Sequence, residues 1–513
     1  MVAGGIGAVK PKLETLTRRG FAHALAAGAV LAQEPAARPP IAKAMDAMRA
    51  AIATAEADPA RPVYHFHPPA QWNNDPNGTI FYRGWHHLFY QVNPYSATWG
   101  HMHWGHARSR DLVNWEHLPL ALWPSEEKGE DHVFSGAAVL APDGRPRLFY
   151  TSIGKRDPEQ WMAVPVDDEL FAWRKYAANP ILTQKIHQDQ KAGDRKVGDW
   201  RDPFLFQEGG RTYMVCGGNH DSHRRGGAGQ VELYEAAKAD LTAWKYRGTV
   251  FEYRDSGVFN IECPNLFRLG AKWVLLISPE PSHITEYFVG HLDLDRARFT
   301  PETHGVLDPG PAYASNISRG AEGRTILWLW GKTETNPAMG WNGCMTMPRI
   351  LGIDSSGFLR QNPAPEFETL RGAVRVIEPV DLGENPVSVG AGDCMEIQAT
   401  LTAESASSVG LRVGGKTQIV FHAQSGELAI GTVRKVIGAG LPVRLRVFLD
   451  RRVMEIYAND GQAAIFATLD SGGDGTVEAF ARGGTGRMEE CRCWPMKAAR
   501  MSLDRFSADP VKA

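Results

Sequence analysis

Between residues 75 and 332 a two-strand pattern closed by a glycine turn recurs five times, and this repeat restricts the fold more than any other feature of the chain. The first copy is Thr79-Ile80-Phe81-Tyr82, then Gly84, then His87-Leu88-Phe89-Tyr90. The second runs from Ala137 to Leu140, turns at Asp143-Gly144 and continues as Arg147-Leu148-Phe149-Tyr150. The third is Phe204-Leu205-Phe206, Gly209-Gly210 and Thr212-Tyr213-Met214-Val215; the fourth is Leu266-Phe267, Gly270 and Trp273-Val274-Leu275-Leu276. The fifth, Asn316-Ile317, Gly323 and Thr325-Ile326-Leu327-Trp328, is less regular. A second echo falls between the copies: Asp111-Leu112-Val113-Asn114-Trp115, Glu169-Leu170-Phe171-Ala172-Trp173 and Asp240-Leu241-Thr242-Ala243-Trp244. A β unit of roughly 60 residues holds four strands, and one such sheet cannot bury its own faces. Five of them stacked radially can. The pattern therefore predicts an all-β chain built on a five-bladed β-propeller, in preference to a sandwich with coincidental hairpins.

At 513 residues the chain exceeds one hydrophobic core, so further domains are expected. Residues 376–505 are again β-rich: Val443 to Asp450 and Val453 to Tyr457 alternate in strand fashion about Arg451-Arg452, and Asn459-Asp460-Gly461 turns into Ala463 to Leu469. This reads as a β-sandwich without an acid–base constellation, in a supporting role. A linker is expected over 356–375, marked by Asn362-Pro363-Ala364-Pro365, with the propeller over 61–355. At the other end, Thr17-Arg18-Arg19-Gly20-Phe21 precedes an apolar run to Ala32, with Val30 and Ala32 as small residues at a cleavage site. Residues 1–32 thus read as a twin-arginine export signal, too short to span a bilayer, and predict a periplasmic or extracellular protein. Residues 33–60, with a helical pattern from Ile41 to Ala57, are expected to be a leader segment.

Net charge is −2, which gives no reason to expect nucleic acid or a membrane as partner. The six cysteines form no CxxC pair and no disulfide framework. His101, His103 and His106 resemble a metal cluster, but on a strand His106 faces away from the other two, so no metal is expected. His65 and His67 read as strand residues beside the site.

The chemistry lies in the residue that heads each hairpin: Asp75, Ser135, Asp202, Glu262 and, in the fifth, a residue near Tyr313. Equivalent positions on propeller blades face the shared axis, so Asp75, Asp202 and Glu262 should converge at one end of the channel. An Asp before a proline is often only a turn cap. Three acids at matching places point instead to a site. Like charges at close range disfavour full ionisation, so at least one pKa should rise, and Arg201 should keep its neighbour Asp202 ionised. One protonated and one ionised carboxyl is the division of labour that glycoside hydrolysis needs.

The segments Trp72-Asn73-Asn74-Asp75-Pro76-Asn77-Gly78, Arg201-Asp202-Pro203 and Glu262-Cys263-Pro264 resemble the three acidic motifs of glycoside hydrolase family 32, which contains invertases, inulinases and levanases. Phe89 to Pro94, His103 to Ala107, Phe134-Ser135-Gly136 and Met345 to Arg349 support the resemblance, which covers about residues 61 to 495. It implies a retaining double displacement that releases β-D-fructofuranosyl units from sucrose or fructans and needs no cofactor. In that scheme Asp75 attacks C2, Glu262 is the general acid/base, and Asp202 with Arg201 holds sugar hydroxyls and stabilises the transition state. Retention implies carboxyls about 5–5.5 Å apart. Asn74, Gln91, Trp99, Phe134, Ser135 and Trp330 match positions that line the fructose pocket in the family, though the two tryptophans also suit plain core filling. Asn73 departs from the family's usual Met, and 308–315 matches only in part, which weakens the leaving-group side.

Alternatives stay open at this level. A fructosyltransferase would use the same intermediate and pass it to a sugar. A propeller glycosidase acting on pentose polymers would lack the Asn74-Asp75-Pro76-Asn77-Gly78 run. A non-catalytic sugar-binding propeller would not need all three acids. Sucrose, inulin or levan as substrate, exo or endo action, and oligomeric state are not distinguished by the sequence.

Overall fold

The computed structural model describes residues 40–188, 197–220, 228–253, 257–440, 442–469 and 475–507. The twin-arginine pattern and apolar run, 17–32, lie outside these residues. Five sheets, each built on four antiparallel strands, follow one another along the chain, here called I to V; two short strands add to sheet I in parallel, and one short strand adds to sheet V. Their first strands are Gln71–Tyr82, Glu130–Leu140, Val197–Glu208, Asn260–Leu269 and Ala312–Arg319. Each first strand touches the first strand of the next sheet, and that of sheet V touches that of sheet I, so the contacts run in a closed ring. The predicted hairpin turns are all present. Gly84, Gly144, Gly210, Gly270 and Gly323 have φ of 79°, 76°, 75°, 61° and 74°, a backbone state that a side chain would strain.

The second echo has a single structural meaning. Leu112, Leu170 and Leu241 adopt φ of 62°, 61° and 62°. The indole N–H of Trp115, Trp173 and Trp244 donates to the carbonyl of the respective leucine at 3.3, 3.2 and 3.1 Å. The same turn thus launches the outer strands of sheets I, II and III, and the buried ring pins it.

The ring is stitched at its floor by one short polar side chain per junction. Gly136 N–H donates to Asn77 (3.1 Å, I–II), Asp202 N–H to Thr151 Oγ1 (2.9 Å, II–III), and Cys263 N–H to Asp202 Oδ2 (2.9 Å, III–IV). Asn265 Nδ2 donates to the Ser315 carbonyl (2.9 Å, IV–V), and Thr79 Oγ1 to Asn316 Oδ1 (2.7 Å, V–I). Buried polar side chains of this kind satisfy the backbone groups that the first strands leave facing the axis.

The expected sandwich is present as two six- to seven-stranded sheets around an apolar core that includes Ile397, Leu411, Val447 and Ile456. All six cysteines are free thiols. Three expectations need revision. The stretch 356–375 contains the outer strand of sheet V, Leu359–Pro363, and a 3-10 helix, Pro365–Leu370. The segment expected as leader holds an α-helix, Pro40–Glu56, whose Ile41, Met45 and Met48 share a core with Tyr64, Phe66 and Leu88. His65 does not stand beside the site. It is fully buried at the seam with the sandwich, Nδ1 2.9 Å from Asp450 and Nε2 3.2 Å from Glu455. Arg349 joins the same cluster, 2.7 Å from Asp308 and 2.9 Å from Glu455, so the sandwich contributes buried charge to the propeller as well as surface.

Candidate active site

The first strand of every sheet breaks register near its start: after Asn73, Val133, Arg201, Glu262 and Tyr313. A β-bulge kinks the strand and re-aims the side chains it carries, here toward the ring axis. Asp202, Cys263 and Ala314, the first residues of the bulges in sheets III, IV and V, have φ of 61°, 47° and 49°. Glu262 therefore does not occupy the position of Asp202, as the motif spacing suggested. It pairs with Ser278 as Arg201 pairs with Gly217 and Tyr313 with Trp330, one residue before the bulge. The spacing hid this because Glu262-Cys263-Pro264 sets its acid one place ahead of Arg201-Asp202-Pro203.

Two linked layers result. In one, Arg201, Glu262 and Tyr313 lie side by side: Arg201 Nη2 donates to Glu262 Oε1 at 2.7 Å and the Tyr313 hydroxyl to Oε2 at 2.5 Å. In the other, Ser135 Oγ donates to Asp75 Oδ2 at 2.5 Å, and the Cys263 thiol lies 3.7 Å from Asp75 and 3.6 Å from Asp202. Asp75 is held further by a relay. Trp72 Nε1 donates to Asn74 Oδ1 (2.8 Å), whose Nδ2 donates to Asp75 Oδ1 (3.0 Å) and to Gln91 (2.6 Å), and Gln91 donates to Ser135 (2.8 Å). Asn74, Gln91 and Ser135 thus meet at Asp75.

The electrostatics divide the acids. Burial raises the Asp75 pKa, against hydrogen bonds from Ser135 and Asn74 and with the nearby charge of Glu262. Burial likewise pushes Asp202 up to about 7, against the pull of Arg201. Burial would raise Glu262 too, but the Arg201 guanidinium and the Tyr313 hydroxyl outweigh it and hold the carboxyl below its ordinary range. Arg201 pulls Asp202 toward the ionised form as expected, but burial outweighs it. The guanidinium spends its short contact on Glu262, and only Nε comes within 3.9 Å of Asp202.

The aromatic residues split as well. Trp99 is 53% exposed at the rim, 5.2 Å from the His132 ring and 6.3 Å from Phe134, so it is not core. Trp330 packs edge-on against Trp72 at 5.5 Å, with the Lys332 ammonium 5.1 Å from its ring and 4.5 Å from that of Tyr313. His106 bonds to His87 at 3.0 Å and stacks on Phe89, away from His103. Asn73 is fully buried, and neither polar atom of its side chain has a partner in the structure. Sequence reading placed the head of the fifth hairpin near Tyr313 without its role, and missed the roles of Cys263, Lys332 and the floor asparagines. Of these three, the asparagines left a signal, the repeated Pro76-Asn77 and Pro264-Asn265.

Comparison with known proteins agrees with this fold. Residues 65–363 match the profile described as the glycosyl hydrolases family 32 N-terminal domain, and residues 366–495 match the C-terminal one. A sucrose-6-phosphate hydrolase of Zymomonas mobilis is 32% identical over 458 residues, 80% of this chain and 86% of that protein. A levanase of Bacillus subtilis is 30% identical over 506 residues, 85% of this chain and 70% of that protein. A family 32 β-fructofuranosidase variant of Bombyx mori, solved with sucrose, superposes with a TM-score of 0.74 at 27% identity, covering 90% of this chain and 99% of that one.

Proposed function

The chain belongs to glycosyl hydrolase family 32, and from that premise we propose that it releases β-D-fructofuranosyl units from sucrose or fructans with retention at C2. The observation that carries this reading is the unlike support of two carboxyls at one ring axis. Asp75 is fixed as an acceptor by the neutral donors Ser135 and Asn74, whereas Glu262 is held by the charged guanidinium of Arg201 and the hydroxyl of Tyr313. In the first step a lone pair of the Asp75 carboxylate forms a bond to C2, the C2–oxygen bond breaks, and the leaving oxygen takes a proton from Glu262. In the second, Glu262 takes a proton from water as its oxygen attacks C2, and the bond to Asp75 breaks with its electron pair. Asp202 and Arg201 hold the sugar hydroxyls in place for both displacements.

Glu262 must carry a proton before the first step. Sugar hydroxyls that engage Arg201 and Tyr313 relieve the two contacts that depress its pKa, so the acid form is favoured in the complex. The three carboxyls titrate as a coupled set, and the proton that burial brings to Asp202 belongs to that set. The exposed ring of Trp99 suits stacking on the leaving sugar. The paired arginines and apolar run of residues 17–32 support export, which an N-terminal sequence of the secreted protein would test.

The deciding experiment measures products from sucrose, inulin and levan side by side. Free fructose from at least one of them is expected. Kestose-type oligomers without free fructose would assign transfer instead, and no fructosyl product of any kind would refute the reading.

A further inference from the structure

The family match begins at residue 65, yet the structure carries an ordered segment before it that reaches the strand of Asp75. The end of the helix Pro40–Glu56 sets Ala55 in a small apolar cluster with Ala70 and Trp341. Beyond the helix, the buried Asp58 receives the indole N–H of Trp341 on Oδ2 at 2.8 Å and the Ala60 N–H on Oδ1 at 2.9 Å. Arg61 donates to the carbonyls of Pro68 and Pro69, both at 2.7 Å, and so fixes the turn that enters sheet I.

Trp341 in turn pairs in parallel with Gln71, and Asn342 with Trp72. The Gln71 N–H, from a residue with φ of 73°, donates to the Gly340 carbonyl at 2.7 Å. Gly343 lies so close to Asn73 that a Cβ there would collide with the Asn73 carbonyl. Trp72 then donates to Asn74, and Asn74 to Asp75. An unbroken series of short contacts leads from Asp58 to the reacting carboxyl.

We propose that residues 40–61 are a positioning strap, in which Asp58, through Trp341, fixes the strand that carries Asp75. The inference rests on the reading of Asp75 as nucleophile. Asp58 never meets substrate and acts only through geometry. Loss of its bond frees the 340–343 edge, lets Trp72 and Asn74 drift, and loosens the near-attack placement that the first step requires.

The test uses the full chain with Trp341→Phe, which keeps the ring and removes only the N–H donor, and Asp58→Ala. Val409→Ala, in the sandwich core, serves as a control of comparable destabilisation. Amide exchange of the peptide spanning 71–75 is followed without substrate, and kcat and KM are measured on sucrose and inulin. Both strap variants should speed exchange over 71–75 and lower kcat about tenfold, with KM within twofold. The control should do neither, and the double strap variant should be no worse than either single one. Exchange over 71–75 unchanged from wild type, or kcat within twofold of it in both variants, would overturn the strap. A wild type that releases no fructose would instead refute the proposed function, and the exchange measurement would still decide the strap.

Discussion

Glu262 and Asp75 differ less in identity than in what donates to them, and single substitutions can separate these effects. Asp75→Asn and Glu262→Gln should each lower kcat by roughly three orders of magnitude or more while the unfolding midpoint stays near that of wild type; near-wild-type turnover in either would contradict the assigned chemistry. Asp202 supplies a pH signature. Its folded pKa is raised to about 7, so it is protonated below that pH and loses the proton above it. If the coupled set needs this proton, kcat/KM should fall as pH rises through about 7, and Asp202→Asn should abolish or displace that limb. A profile flat to pH 9 would refute the coupling. Asn73 supplies a stability signature. Two buried amide atoms without partners cost about 1–3 kcal/mol, so Asn73→Met should stabilise the fold by about 1–2 kcal/mol in a denaturant titration. Lower stability would mean that the methionine does not fit the space. The acids were legible as motifs. The one-residue offset of Glu262 stands in the motif, ahead of Cys263-Pro264, but its meaning as a separate layer appears only once the ladder and its bulge are known.

Elements were legible where one residue type enforces one backbone state. The turn glycines marked all five sheets and the Leu–Trp turns marked sheets I to III, because glycine takes positive φ without strain and tryptophan brings an indole N–H to the turn carbonyl. The outer strand Leu359–Pro363 was read as linker because it is short and ends in proline, and its other edge has no further strand of sheet V. The helix Pro40–Glu56 had a visible pattern, but its role depends on Trp341, almost 300 residues away. The floor side chains give this scale its prediction. Asn316→Ala leaves the Thr79 hydroxyl and N–H and the Gly136 carbonyl short of partners at the junction that closes the ring. It should cost about 2–4 kcal/mol in urea unfolding. A loss below about 0.5 kcal/mol would show that the ring does not depend on that stitch.

At the scale of the whole molecule, the propeller and the sandwich are joined by charge in a place the sequence did not reveal. Asp450 and Glu455 alternate along their strands like ordinary residues, and only the docking of His65 and Arg349 shows why they are buried. Burial pulls the His65 pKa down, but its hydrogen bonds to Asp450 and Glu455 outweigh this and lift it to about 9, from an ordinary 6.5. A raised folded pKa gives stability that is fully present below pH 6.5 and is lost as pH rises through 9, on the order of 3 kcal/mol. Denaturant midpoints should fall across that window and be flatter in His65→Gln; a flat wild-type profile would refute the seam's dependence on the charged imidazole. The proposed reaction places one event at the ring axis, the transfer of a fructosyl unit through Asp75. That event is tested most directly by carrying out the reaction on sucrose with methanol present and determining the anomer of the methyl fructofuranoside formed. Methyl β-D-fructofuranoside, absent with Asp75→Asn, is the predicted product; the α anomer, or β product still formed at the wild-type rate by Asp75→Asn, would contradict the double displacement.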